Sequence, residues 1–312
     1  MSFASEHNKF KLILVSSLAL AATTLAAGLP AAHAHIGQRA DDLVRQADAV
    51  ATSDPKMAAV NYRMASLLQP TNPEIITKLA DAYLSLNRPD EAVKTLRRLP
   101  KGEGSAKIAD IQFRSGQFEA AVATLDQLLK DKQLPATLTA KSRALLELDR
   151  ADQAIEAAKQ AVSYGLGDDQ AALQLGLSYA ASGKSQELAA LISSLRPLAA
   201  RQTLETAQAG QVTAAKILYA QGLLRSSQRI LAKTPVLNSE GYLLLAKIEL
   251  AQREPNQSEL TAAKDHLVKG LAIDPGNLEL HRTLKDVYRQ LGDQAGFERE
   301  SDLVNQLETG KI

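Results

Sequence analysis

The chain has 312 residues, 45% of them hydrophobic, with no Cys, no Trp and a formal charge of +1. The missing Cys excludes thiol catalysis, zinc–thiolate sites and disulfides, and the near-neutral charge lacks the basic excess that nucleic-acid binding needs to displace counterions. An Ala- and Leu-rich chain with few Pro inside its periodic segments predicts an all-α protein.

In chain order, Lys9 and Lys11 form a positive region, and Leu12 to about Ala27 is apolar with small residues. Ala32-His33-Ala34 fits a small-x-small cleavage pattern. Residues 1–34 therefore read as a cleavable export signal, with the mature chain starting at His35. The alternative is a retained anchor, which Ser16, Ser17, Thr23, Thr24, Gly28 and Pro30 weaken. Without residues 1–34 the chain holds 34 basic and 34 acidic residues.

From residue 39 onward, apolar residues recur with helical spacing in short segments broken by turn residues. Arg39 to Ala51 and a partner opened by Pro55 form a first pair. Ile76, Leu79, Ala80 and Tyr83 then share one helix face, Asn87-Arg88-Pro89 breaks it, and Asp90 is placed to cap a second helix carrying Ala92, Val93 and Leu96. A third pair covers about Ser105–Leu129 and a fourth about Thr137–Tyr164. The fifth runs from Asp169 to Leu195. After Arg196-Pro197 the register loosens: Gln202 to Ala232 reads as a sixth pair, and a seventh is interrupted at 253–257. Ile273-Asp-Pro-Gly-Asn277 marks a turn into an eighth pair that ends near Leu307 with a partly polar closing helix.

The inward small residue repeats through Ala58, Ala92, Ala121, Ala154, Leu188, Ser227, Ala263 and Phe297, in steps of 34, 29, 33, 34, 39, 36 and 34. This rhythm, carried by Leu79-Ala80…Tyr83…Ala92 and Leu175-Gly176…Tyr179…Gly183, and by Gly116-Gln117-Phe118…Ala121…Leu128 and Ala263…Gly270…Pro275, resembles the tetratricopeptide repeat family. The resemblance implies a right-handed superhelical solenoid of about eight antiparallel helix hairpins, forming one domain over 35–312 with a less regular section at 196–257. It also implies that the first helix of each pair lines a concave groove. Carried onto this chain, the groove holds Thr77, Asp81 and Leu84, then Asp110, Phe113 and Arg114, then Arg143, Leu146 and Glu147, then Leu177. Asp81 and Asp110 would form an acidic rim beside an apolar strip of Leu84, Phe113, Leu146 and Leu177. The Lys and Asn that clamp a peptide carboxylate in the family's peptide-binding members are not reproduced.

No catalytic constellation stands out, and neither a cofactor nor a metal site is expected. Gly183-Lys184-Ser185 matches the end of a phosphate-binding loop, but Ser178 stands where that loop needs Gly, and a helix precedes it instead of a strand. His266 and His281 lack metal-ligand spacing. A freed His35 amine and imidazole could chelate Cu(II), with nothing else to complete the site. Arg97-Arg98…Lys101 ends a helix, where cations suit the dipole. The expected function is a non-enzymatic scaffold of a bacterial envelope assembly (secretion, polysaccharide export or cell-wall machinery) in the periplasm. Its partners would be other envelope proteins, with no nucleic acid and no membrane span once the signal is cleaved; the oligomeric state stays open. An accessory subunit or chaperone of an exported enzyme is one alternative. A polysaccharide- or anion-binding module is another, disfavoured by the scarcity of flat aromatic side chains.

Overall fold

The computed structural model describes residues 35–100, 102–131, 134–165, 168–195, 199–251 and 254–310. The export signal, Lys101 and Arg196-Pro197 lie outside the described residues. The described residues contain seventeen helices and no strand. They fall into two compact units that divide between Ser115 and Gly116. The first unit holds α1 (35–50), α2 (Pro55–Leu68), α3 (Pro73–Ser85), α4 (Pro89–Leu96) and α5 (Ser105–Arg114). The second holds α6 (Phe118–Asp131), α7 (Pro135–Glu147), α8 (Ala151–Tyr164), α9 (Asp169–Ala181), α10 (Ser185–Ser194) and α11 (Ala199–Gln208). It continues through α12 (Gln211–Ala220), α13 (Leu224–Lys233), α14 (Ser239–Glu249), α15 (Gln257–Ile273), α16 (Leu278–Leu291) and α17 (Gln294–Glu308).

Local sequence explains where these helices start. Pro55, Pro73, Pro89 and Pro135 stand in first turns, where a missing N–H costs nothing. The side chains of Asp54, Asn72, Asp168, Asn238, Asn277 and Asp293 accept from first-turn amides. Asn256 and Glu259 close a reciprocal capping box at α15. Asp90 is not the cap of α4. The helix begins one residue earlier, at Pro89, and Asp90 lies inside the first turn, where its charge complements the helix dipole.

Six of the turns between helices share one device. Asn87, Gly116, Asp149, Gly183, Gly222 and Gly292 all take left-handed backbone, with φ between 60° and 74°. In five of these turns the next amide donates back to a carbonyl five residues earlier: Arg88 to Tyr83, Arg150 to Leu145, Lys184 to Tyr179, Leu223 to Leu218 and Asp293 to Tyr288. Only Gly, or Asn and Asp with their short polar side chains, reaches this conformation cheaply. The Gly of Gly183-Lys184-Ser185 is therefore a hairpin-turn residue.

Small residues set the packing between helices. Ala58, Ala92, Ala121, Ala154, Ser227 and Ala263 are all within 1% of complete burial. The Ser227 hydroxyl is satisfied by donating to the Ala215 carbonyl at 2.7 Å. The rhythm slips in α17, where Gly296, one residue before Phe297, is the buried small position. A Cβ there would lie 2.5 Å from the Tyr288 ring. The sixth segment also differs from expectation. Gly210 adopts extended backbone and breaks the first helix of the anticipated pair, so 199–233 holds three short helices, α11, α12 and α13. One helix is thus added to eight pairs.

That added helix requires a glycine. Gly176 in α9 faces Leu204 of α11, which is completely buried, and a Cβ on Gly176 would sit 2.3 Å from a Leu204 methyl. We expect Gly176→Ala to destabilise the second unit by about 1–3 kcal/mol through overpacking, measured by urea unfolding. The double variant with Leu204→Ala should recover part of that loss if the clash is its cause.

Candidate partner-binding surface

In the first unit the anticipated groove residues lie on α3 and α5. Asp81 and Asp110 are exposed, and Leu84 and Phe113 are half-buried. Leu84 packs on the cluster of Ala80, Ala92, Val93, Leu96, Ile108 and Ile111. The two carboxylates do not form a free acidic rim. Lys107 Nζ lies 2.5 Å from Asp81, joining α5 to α3, and Arg114 lies 3.9 Å from Asp110 along α5. Lys78 of α3 bridges to Asp48 of α1 at 2.7 Å in the same way. The hydrogen bond to Asp48 raises the Lys78 pKa, against a smaller desolvation effect. Burial pushes Asp48 up, but its hydrogen bonds from Lys78 and Tyr62 outweigh that and leave it lowered.

The second unit treats the same positions differently. Leu146 and Leu177 are each only 1% exposed, so neither offers surface to a partner. The turn between α12 and α13 fills the space against α7. Arg143 donates to the Gln221 carbonyl at 2.7 Å. Glu147, 2% exposed, accepts from the backbone amides of Arg225 and Ser226, both at 3.0 Å, and from the Ser226 hydroxyl at 2.8 Å. Arg229 reaches back from α13 to the Leu146 carbonyl and pairs with Asp149 at 3.1 Å. The Arg225 guanidinium stacks 4.9 Å from the centre of the Phe118 ring. No side chain of α13's own N-terminus caps it, so Glu147 supplies the cap from 78 residues upstream. A carboxylate there satisfies orphan amides and meets the positive end of the helix dipole. The sequence reading placed Glu147 on the groove face but missed what it binds. The one available signal was an acid inside the apolar run Ala144-Leu145-Leu146-Glu147-Leu148.

Of the remaining candidates, Arg98 and His281 have structural roles. Arg98 donates to the carbonyls of Ser66 and Pro70 at 3.3 and 2.8 Å, tying α4 to the end of α2. His281 is buried against Glu300 at 2.6 Å and the Pro275 carbonyl at 2.9 Å. His266 is half-buried beside Tyr242, its Nδ1 lacking a hydrogen-bond partner among the described residues. His35 is exposed at the start of α1. Among the described residues no group of three or more acidic or imidazole side chains is placed to hold a metal ion, and no helix is long and apolar enough to cross a membrane.

Residues 49–106 match the tetratricopeptide repeat family model. The matched stretch lies within the first unit. Its fold is similar to that of a tetratricopeptide repeat protein from Parabacteroides merdae ATCC 43184, at 16% identity and a TM-score of 0.50, over 80% of this chain and 99% of that one. Yeast Tom70 aligns at 16% identity over 81% of this chain and 58% of its own, with a TM-score of 0.38. A human IFIT1 dimer with m7Gppp-AAAA aligns at 16% identity over 80% and 64%, with a TM-score of 0.35. No curated protein matches. Repeats of this fold act as protein–protein interaction scaffolds.

Two expectations follow from these contacts. Glu147→Ala leaves two amides of α13, that of Ser226 buried, without an acceptor and should cost about 1–3 kcal/mol; hydrogen exchange would read it as faster exchange at Arg225 and Ser226 than at α16. Burial lowers the His266 pKa from 6.5, Lys269 adds to this, and Asp265 opposes it. The unfolded chain then binds the extra proton first, so stability falls as pH drops from about 7 to about 5.5. Unfolding midpoints across that range should be flatter in His266→Leu.

Proposed function

We propose that this repeat protein is a non-enzymatic adaptor of a bacterial envelope assembly, exported to the periplasm, and that it engages a partner segment on the α3–α5 face. The observation carrying this reading is the pair Leu84 and Phe113. Both are half-buried, on consecutive first helices, beside the Asp81–Lys107 and Asp110–Arg114 ion pairs. Partly open apolar side chains framed by polar groups suit a helix or an extended peptide laid across a groove. The groove residues expected in the second unit, Leu146 and Leu177, are buried and are left out of the proposed surface. The export reading rests on Lys9 and Lys11, the apolar stretch from Leu12 to Ala27, and Ala32-His33-Ala34. We take residues 35–312 as one repeat array, in which 196–257 is the less regular part.

The test is crosslinked recovery of partners from the native envelope, wild type beside Phe113→Glu. The reading expects a defined set of proteins with the wild type and its loss with the variant, at unchanged circular dichroism. Recovery of the same set by both would move binding off this face, and recovery of nothing by the wild type would remove the adaptor reading.

A further inference from the structure

The helix α2 has two apolar faces. Ala58, Ala59, Tyr62, Ala65 and Ser66 are buried toward the first unit's core. On the opposite side Met57, Val60, Met64 and Leu67 are 50%, 51%, 44% and 73% exposed. A contiguous apolar patch left exposed on a helix marks an interaction site. Two second helices of later pairs do not share the feature: α4 shows Asp90, Lys94 and Arg97 to solvent, and α8 shows Gln153, Glu156, Lys159 and Gln160.

The spacing of the four residues, 3-4-3, is that of a seam between two near-parallel helices. At 3.6 residues per turn they occupy roughly 80° of the helix circumference, a narrow stripe and not the broad face of a helix lying in a membrane surface. Lys56 and Arg63 are exposed along one edge of this stripe. α2 contains no acidic residue, and neither cation has an ion pair among the described residues.

We infer that this stripe docks an amphipathic helix of another protein, one with apolar residues at heptad spacing and Glu or Asp beside them, facing Lys56 and Arg63. Charge decides against a second copy. The stripe is symmetric about residue 62, so an antiparallel copy would set Met57 against Leu67 and Val60 against Met64. That register brings the two Arg63 side chains together. Flanking charges of this kind govern partner choice between helices. The surface is separate from the α3–α5 face, and its use does not depend on that reading.

The probe is a labelled three-heptad synthetic helix with Leu in its seam and Glu at the flanking positions, titrated into the full chain by fluorescence anisotropy. A second peptide carries Lys at those positions. The inference expects the Glu peptide to bind and the Lys peptide to bind about tenfold more weakly or worse. Arg63→Glu should reverse that order. Met64→Glu, and independently Leu67→Lys, should abolish binding with unchanged circular dichroism and melting, since both side chains already face solvent. Phe113→Glu should leave the titration unaltered, which separates this surface from the proposed groove. No binding by the Glu peptide, equal binding by both peptides, or undiminished binding by both α2 variants overturns the inference. So does a dimer in sedimentation that Met64→Glu dissolves, which assigns the stripe to a second copy. Pelleting with phosphatidylglycerol vesicles that Met64→Glu abolishes would assign it to lipid and overturns the inference equally.

Discussion

Five hairpins, at Asn87, Asp149, Gly183, Gly222 and Gly292, each depend on a single residue in left-handed backbone. A helix must end, reverse direction and begin again within about three residues, and it must not leave carbonyls of its last turn buried and unpaired. The left-handed residue permits both, because it turns the next amide back onto a carbonyl five residues earlier. Where the position is Gly, the conformation is free of Cβ strain. Where it is Asn87 or Asp149, a short polar side chain bears the strain. Once this turn is set, two amphipathic helices face each other, and small residues such as Ala92 and Ala154 fix how closely they approach.

Glu147 shows how a repeated geometry can be diverted at one point. Its position would open onto the inner face of the fourth pair, yet α12 and α13 are brought there by the extra helix α11. A buried carboxylate is costly unless it is hydrogen-bonded. Here two backbone amides and a hydroxyl donate to it, and Arg229 ties α13 to the Leu146 carbonyl beside it. The inner face of α7 is consequently committed to the chain's own helices. Any partner of the second unit would have to compete with that network, whereas Leu84 and Phe113 in the first unit remain partly open.

The all-α class, the hairpins and the small-residue rhythm were legible because each rests on local pattern: 3.6-residue periodicity, Pro and Asn at helix starts, Gly at turns. The break at Gly210 was not legible, because a lone Gly inside a helical pattern is often tolerated. Phe297 was taken for Gly296 because counting repeats cannot resolve one residue where the step length varies. The surface was harder still. Heptad-like or repeat-like position shows which way a side chain points from its own helix, but burial depends on what packs against it. Leu84 and Leu146 hold equivalent repeat positions; one is half-buried and the other is covered by helices arriving from further along the chain.

Electrostatics divides the molecule in a way that the net charge hides. Lys78 with Asp48, Lys107 with Asp81 and Lys247 with Glu279 each join neighbouring first helices. Exposed pairs of this kind contribute only about 0–1 kcal/mol each, so their effect is to favour one register between successive pairs over a shifted one. They also consume charge that a partner could otherwise read. What remains unpaired then carries more information than the sum of +1, and on α2 the groups without an ion pair among the described residues are Lys56 and Arg63, beside the four exposed apolar side chains. A near-neutral chain can therefore still present a partner-selective surface, because selectivity depends on the few charges that intramolecular pairing leaves over.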